Sequence, residues 1–387
     1  MKLKGLSLFA NVGIAEALLN NINVEVVIAN EIDDKRVKFY KHLYPNTIMI
    51  PGDITEEKIF QKVFKEAKKE NIDFLMATPP CQGMSTAGKQ EQNDTRNHLV
   101  TYAVKMIKKL KPKYVLLENV PQQLNTKILY ENESILIPDY LIRELSKEYH
   151  FNTDSKINAA DYGVPQNRLR TIFLLTKKEK KNNFIWEYPE AKFKPVTLDM
   201  AIGDLPSLDP LISDLSYEEH LKIFPDYEQK KANGLKVSKW HIPPKHVYRQ
   251  VFSMLHTETG KSAFENEDDK YKPKTKEGRI VKGFKNTYKR QSWDKPGYTI
   301  TMYNRTIGSQ ENVHPGRAIK RNDQIIFSDP RVLTLFEIMR VMSLPDDWNI
   351  PDWASEHFIR QVIGEGVPPK LVNALFEELL RLINENE

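Results

Sequence analysis

Over roughly its first 175 residues the chain alternates short apolar runs with amphipathic stretches, a pattern that restricts it to a parallel sheet flanked by helices. Strands are expected at 3–9, 24–30, 74–78, 114–118 and 171–176, and a further strand should end at Gly52-Asp53-Ile54-Thr55. Helices are expected at 14–21, 34–43, 56–70 and 97–110. In 56–70 the apolar residues Ile59, Phe60, Val63, Phe64 and Ala67 recur at helical spacing with lysines opposite. Beyond the run Lys-Lys-Glu-Lys-Lys-Asn-Asn (177–183) the periodicity fades. The stretch 184–330 is rich in Pro, Tyr, Trp and Lys, so an irregular second, smaller domain is expected there. Helical patterns return at 332–342 and at 368–383, where Leu371, Leu375, Leu379 and Leu382 share a face.

The 387 residues suit two domains, and 40% apolar with 28% charged residues is ample for a core. A net charge of +5 is too weak to name a polyanionic partner. Its distribution says more: 270–321 holds 14 Lys/Arg against 3 Asp/Glu, whereas 187–229 holds 3 against 10. Such a division suits either a one-sided phosphate-binding surface or an ordinary lysine-rich solvated face. Cys81 is the single cysteine, which excludes an intramolecular disulfide framework and a multi-cysteine zinc site and suits a reducing compartment. Lys2 and Lys4 precede an apolar run, but Asn11 and Glu16 interrupt it, unlike the core of a signal peptide. No uncharged run approaches the ~20 residues needed to span a bilayer, so a soluble, intracellular protein with no membrane partner is expected.

In open α/β sheets, ligands bind beyond the carboxyl ends of the strands. After the first strand comes the turn Ser-Leu-Phe-Ala-Asn-Val-Gly (7–13), and after the second Glu31, Ile32 and Asp33. An acid about 20 residues past such a turn can take ribose hydroxyls, although taken singly a residue such as Glu31 or Asp53 is more often a helix cap than a ligand. After the fourth strand Pro79 and Pro80 lead into Cys81 and a polar loop with Gln82, Gly83, Ser85 and Gly88. A thiol on a rigid base beside such a loop suits a nucleophile, since the thiolate is the reactive form; the alternative is a buried, inert cysteine. The fifth strand ends in Glu118 and Asn119. A carboxyl there can have a raised pKa and share a proton with a ring nitrogen, or can simply terminate the strand. Gln166, Arg168 and Arg170 alternate into the last strand and so face one way, an array suited to phosphate or carbonyl oxygens.

The order and spacing of Pro-Pro-Cys-Gln (79–82), Glu-Asn-Val (118–120) and Gln-x-Arg-x-Arg (166–170), with 7–13, 30–33 and 52–55 before them, closely resemble the DNA (cytosine-5) methyltransferase family of the bacterial restriction–modification type. The stretches 330–348 and 363–375 resemble its ninth and tenth motifs, and 184–330 falls where that family keeps a variable target-recognition domain. The resemblance implies a Rossmann-like S-adenosylmethionine-dependent methyltransferase sheet. It divides the chain into a catalytic and cofactor-binding domain at 1–183 plus 355–387 and a target-recognition domain at 184–354.

By the same resemblance the cofactor is S-adenosyl-L-methionine and the substrate a cytosine flipped out of double-stranded DNA. Cys81 is then the nucleophile at carbon 6, Glu118 holds the proton at N3, Arg170 binds O2 and Arg168 orients the set. Phe9 and Ile32 sandwich the adenine, Glu31 takes the ribose and Asp53 the adenine amino group; Asn11, Gly13, Ile54, Pro80 and Val367 complete the pocket. Gln82, Ser85, Lys89 and Arg96 are implied as DNA contacts on a closing loop. In the basic segment, Tyr271, Phe284, Tyr288, Trp293, Tyr298 and Tyr303 stand among lysines, a mixture suited to gripping the DNA backbone and touching bases. The family's first motif reads Asp-Leu-Phe-x-Gly-x-Gly-Gly, so Ser7, Asn11 and Ile14 depart from it, as does Glu365 where the tenth motif has asparagine. A monomer in the cytoplasm, associated with the nucleoid through DNA, is implied, with a cognate restriction endonuclease as functional partner. The alternative, an RNA (tRNA) cytosine-5 methyltransferase, lacks a large variable domain. A silent DNA-binding module should have lost Cys81, Glu118 or Arg170. A thiol hydrolase needs a histidine base, yet His98 and His314 stand in no recognisable pairing with Cys81.

Overall fold

The computed structural model describes residues 2–80, 98–179, 184–191 and 194–386. Its centre is a sheet of eight strands among the described residues. These are β1 (Leu3–Leu8), β2 (Val24–Glu31), β3 (Ile48–Pro51), β4 (Phe74–Ala77), β5 (Tyr114–Asn119), β8 (Tyr149–Phe151), β9 (Lys156–Asn158) and β10 (Leu169–Lys177). The hairpin β6 (Lys127–Tyr130) and β7 (Glu133–Leu136) stands apart from it. The spatial order is β3-β2-β1-β4-β5-β10-β8, with β9 paired to β10.

β1 pairs in parallel with both β2 and β4, so the order reverses there, and the crevice outside Leu8 and Ala77 is a topological switch point. The sheet is not parallel throughout as expected from the alternation. β10 runs antiparallel to β5, with Thr171 opposite Asn119 and Ile172 opposite Glu118. The hairpin, helix α4 (Ile137–Leu145) and β8 carry the chain back across the sheet between these strands. This reversal has a functional consequence: the beginning of β10, with Arg168 and Arg170, lies beside the carboxyl end of β5.

Strand alternation sorts the core onto the two faces. Phe74, Met76, Tyr114, Leu116, Ile172 and Leu174 pack under α11 (Pro369–Asn386), whose Leu371, Leu375, Phe376 and Leu379 are buried. Leu75, Ala77, Val115, Leu117, Phe173 and Leu175 pack under α2 (Glu57–Glu70), α3 (Leu99–Leu110) and α4. β2 is followed by α1 (Asp34–Leu43), as expected. The helix expected at 14–21 is instead two 3-10 turns, Ile14–Glu16 and Leu19–Ile22. Left-handed residues at Gly13 and Asn23 bracket the segment, and its short span is shaped by burial of Ile14, Glu16 and Leu19.

The stretch 184–330 is more ordered than its weak periodicity suggests. It contains α5 (Leu198–Ile202), α6 (Tyr217–Ile223), α7 (Tyr227–Val237) and α8 (Tyr248–Leu255). The capping box from Ser216 to Glu219 at the start of α6 is a local signal that the sequence does carry. Phe184 and Trp186 join the core under α11, where Trp186 Nε1 donates to the Leu375 carbonyl at 3.0 Å. Leu198, Ile202 and Ile300 pack with Val12, Ile14 and Phe39 and with α9 (Leu335–Val341) and α10 (Glu356–Glu365).

At the start of α9, fully buried Arg331 donates to Asp329 at 2.8 Å and to both carboxylate oxygens of Glu337 at 2.8 and 2.9 Å. Burial alone would raise these carboxyls, but the Arg331 charge and hydrogen bonds outweigh it and hold Glu337 near about 2. The neighbouring His314 is pushed down to about 4 by burial, so it is neutral at pH 7 and committed to this network. Part of the basic excess at 270–321 is likewise internal: Arg290 is buried and donates to the carbonyls of Met254, His314, Phe327 and Asp329. Arg331→Ala leaves Asp329 and Glu337 buried without their cation and should cost about 3–5 kcal/mol. Urea denaturation at pH 7 measures this, and a loss under about 1 kcal/mol would show that the network relaxes around the gap.

Candidate active site

The turn after β1 is built from left-handed residues. Phe9, Asn11 and Gly13 have φ of 58°, 51° and 80°, so two non-glycine residues hold a conformation that favours glycine. The surroundings enforce it. Ala10 N donates to the Asn30 carbonyl at 3.0 Å, Thr78 Oγ1 donates to the Phe9 carbonyl at 3.1 Å, and Asn11 Nδ2 donates to the Val362 carbonyl at 3.0 Å. Asn11, where the family pattern has glycine, thus ties the turn to the end of α10.

Glu31 closes β2 and organises the same corner. One carboxylate oxygen accepts from Asn11 N at 2.8 Å and the other from Ile32 N and Asp33 N at 3.0 Å each. Burial raises its pKa against these hydrogen bonds and the nearby Arg36 charge. Ile32 is 62% exposed, an apolar side chain held at the rim of the crevice beside a buried acid. Asp33, not Glu31, caps α1 by accepting from Arg36 N at 2.9 Å. Asp53 Oδ1 accepts from Thr55 N at 2.8 Å, so this residue does serve locally as a turn cap. Asn30 binds the carbonyls of Ile50 and Gly52 at 2.9 and 3.0 Å and keeps the ends of β2 and β3 together, a role not visible in its sequence context. Ile54 and Val367 are buried and Pro80 is half-buried. Glu365 is turned onto Arg36, at 2.6 Å, so this departure from the tenth motif bridges α10 to α1.

Across the switch point, Glu118 and Arg170 form a buried pair with Arg170 Nε 2.8 Å from Glu118 Oε1. Burial raises the Glu118 pKa, and the charges of Arg170 and Arg168 pull against that rise. The next residue, Asn119, donates from Nδ2 to the Pro79 carbonyl at 3.1 Å. It therefore anchors the chain two residues before Cys81 to the strand that carries Glu118. Cys81, Gln82, Ser85, Lys89 and Arg96 lie outside the described residues.

The alternation of Gln166, Arg168 and Arg170 holds, since all three are buried, but they do not form one oxygen-binding array. Arg168 donates to the carbonyls of Ile300, Gly364 and Gly366 at 2.7, 2.9 and 2.8 Å. Gln166 accepts from Ile300 N at 2.9 Å and donates to the Val341 carbonyl at 3.3 Å. Most of their hydrogen bonds go to the protein's own backbone, and Arg170 is the member directed at Glu118.

The model of the C-5 cytosine-specific DNA methylase family matches residues 3–381. The chain belongs to that family. It is 43% identical to the Type II methyltransferase M1.HgaI of Avibacterium volantium, over 99% of this chain and 98% of the relative. It is 26% identical to the Type II methyltransferase M.XorII of Xanthomonas oryzae pv. oryzae, over 98% of this chain and 85% of the relative. Among solved structures, a variant of DNMT2 from Spodoptera frugiperda shares the fold at a TM-score of 0.59 and 17% identity, covering 99% of this chain and 100% of that one. EhMeth of Entamoeba histolytica does so at 0.59 and 16%, covering 98% of each chain. As a member of the family the protein is a DNA (cytosine-5) methyltransferase with S-adenosylmethionine as methyl donor. The residues at the switch point fit that cofactor: a fixed buried acid, an exposed apolar neighbour, and Asn11 Oδ1, buried without a hydrogen-bond partner among the described residues.

Gly13 tests this corner, because a Cβ there would lie 2.2 Å from the Tyr44 ring. Gly13→Ala adds about 1–2 kcal/mol of left-handed backbone strain to that overlap. S-adenosylmethionine affinity measured by calorimetry should fall at least roughly tenfold. An unchanged affinity would remove this turn from the cofactor pocket.

Proposed function

We propose that the enzyme methylates carbon 5 of a cytosine flipped out of a specific duplex sequence, with Cys81 as the covalent nucleophile. The observation that carries the reading is the buried Glu118–Arg170 pair, tethered by the Asn119 hydrogen bond to Pro79, two residues before Cys81. Carbon 6 of cytosine is a poor electrophile unless the ring accepts charge at N3 and O2. Burial favours the protonated form of Glu118, which suits it to hold a proton at N3, and Arg170 beside it is assigned to O2. The Cys81 thiolate then bonds to carbon 6, and negative charge develops at carbon 5. S-adenosylmethionine supplies an electrophilic methyl group when bound. Removal of the carbon-5 proton returns an electron pair to the ring, the carbon–sulfur bond breaks, and the thiolate is regenerated.

Glu31, Ile32, Phe9 and Asp53 are assigned to the adenosine, with Asn11, Gly13, Ile54, Pro80 and Val367 around the remainder of the cofactor. Arg168 acts as a positioning residue. Residues 1–183 plus 355–387 are assigned to catalysis and 184–354 to target recognition, with Gln82, Ser85, Lys89 and Arg96 on the DNA backbone. The 43% identity to a Type II methyltransferase supports a restriction–modification role with a cognate endonuclease. We place the enzyme in the cytoplasm as a monomer on DNA; among the described residues, no helix is long and apolar enough to cross a membrane.

Wild type and Cys81→Ala, each incubated with S-adenosylmethionine and a random-sequence duplex library, provide the test by bisulfite sequencing. Methylcytosine within one short motif, produced by wild type alone, is the expected outcome. Methylcytosine from Cys81→Ala at the wild-type rate would overturn the nucleophile, and activity on tRNA but not on the library would overturn the DNA substrate.

A further inference from the structure

Beneath the turn that follows β1 lies a carboxyl that the mechanism does not use. Glu16 is 4% exposed, and it accepts a short hydrogen bond from Tyr40 Oη. The Ser7 hydroxyl stands beside it, at the position where the family pattern has an acid. Glu16 Oε1 is buried and has no hydrogen-bond partner among the described residues. Tyr44, stacked at a tilt 4.8 Å from Tyr40, donates from Oη to the Gly13 carbonyl at 2.6 Å. Glu16 is thereby coupled through two packed tyrosines to the turn that carries Asn11 and Gly13.

A cavity of about 140 Å³ opens beside it, lined by Glu16, Val26, Tyr44 and Thr47 among others, and large enough for water. The charged and titratable groups facing Glu16 are few. Tyr40 and Tyr44 have pKa values raised well above 10 by burial and stay neutral, and Glu25 on the cavity wall is paired with Lys2 at 2.7 Å. Burial raises the Glu16 pKa to about 7, against the lowering effect of the Tyr40 hydrogen bond and the nearby Ser7 hydroxyl.

We propose that Glu16 is a positioning residue of the cofactor site, supplying from below the turn the buried carboxyl that Ser7 lacks, and that S-adenosylmethionine binds with Glu16 ionised. The inference rests on the cofactor assignment above. Its physical basis is charge: the cofactor carries a sulfonium and an ammonium against one carboxylate, so a net cation above the turn favours an anion beneath it. Binding then releases the Glu16 proton to water through the cavity. Because the free enzyme holds this proton below about pH 7 and the complex does not, affinity rises with pH through that range.

Calorimetry of S-adenosylmethionine binding to the full chain, in two buffers of different ionisation enthalpy, counts the protons. Wild type should gain about tenfold in affinity from pH 6 to pH 8 and release roughly half a proton near pH 7. Glu16→Gln should lose both effects, whereas Glu25→Gln on the same cavity wall should keep them. Tyr40→Phe, which removes a donor to the carboxylate, should move the midpoint to higher pH. A wild-type affinity flat with pH, a Glu16→Gln variant that still releases the proton, or an unmoved Tyr40→Phe midpoint would each overturn the proposal. Failure of wild type to bind S-adenosylmethionine at any pH would instead overturn the cofactor assignment, and this inference with it.

Discussion

The Arg168 guanidinium holds together stretches of chain far apart in sequence. Its hydrogen bonds to the carbonyls of Ile300, Gly364 and Gly366 join the last segment of the second region and the end of α10 to the strand carrying Arg170. A rigid planar fork reaches three carbonyls spread along its edge, a geometry that a lysine's single ammonium does not reproduce. Gly364 shows how tight the junction is, since a Cβ there would fall 2.3 Å from the Thr301 backbone. Around this clamp the corner proposed for the cofactor and the pocket proposed for the base become one frame. Gly366 leads directly to Val367, Asn11 ties the β1 turn to Val362, and Arg170 lies two residues from Arg168 on the way to Glu118.

Electrostatics separates the Arg331 ion network from the Glu118–Arg170 pair proposed for the chemistry. Arg331, Asp329 and Glu337 are buried with complementary charge and multiple hydrogen bonds, and the carboxyls are held low and permanently ionised. Glu118 has a partner too, but burial dominates and its pKa moves upward. A carboxyl poised in this way can hold a proton for a ring nitrogen, whereas one locked in a strong ion network cannot. The same contrast distinguishes His314, neutral and enclosed by that network, from a general base beside a thiol.

Much of the fold was legible because strand periodicity and strand-end residues obey simple rules. Apolar runs located β1, β2, β4, β5 and β10 to within one or two residues, and α1 lies where its pattern placed it. The antiparallel entry of β10 was not legible, since a buried strand reads alike in either direction. Helices α5 to α8 are short and partly exposed, so tertiary packing rather than periodicity defines them, although the Ser216 capping box was a usable signal. At the site, Glu118 and Arg170 could be paired from the family pattern, and the structure brings them within 2.8 Å. The commitment of Arg168 and Gln166 to backbone carbonyls could not be read, because those partners lie 132 to 198 residues away. Glu16 was read only as an interruption of an apolar run; its burial beside Tyr40 depends on α1 folding back over the β1 turn.

The central claim is that Arg168 serves the cofactor corner and the base pocket through one backbone clamp. The direct measurement is S-adenosylmethionine affinity and methylation rate for folded Arg168→Lys, compared with wild type. The account predicts that both fall together, because loosening Gly364 and Gly366 disturbs the cofactor wall at Val367 as well as the strand bearing Arg170. A methylation rate that falls while cofactor affinity stays at the wild-type value would contradict it, and would assign Arg168 to the base alone.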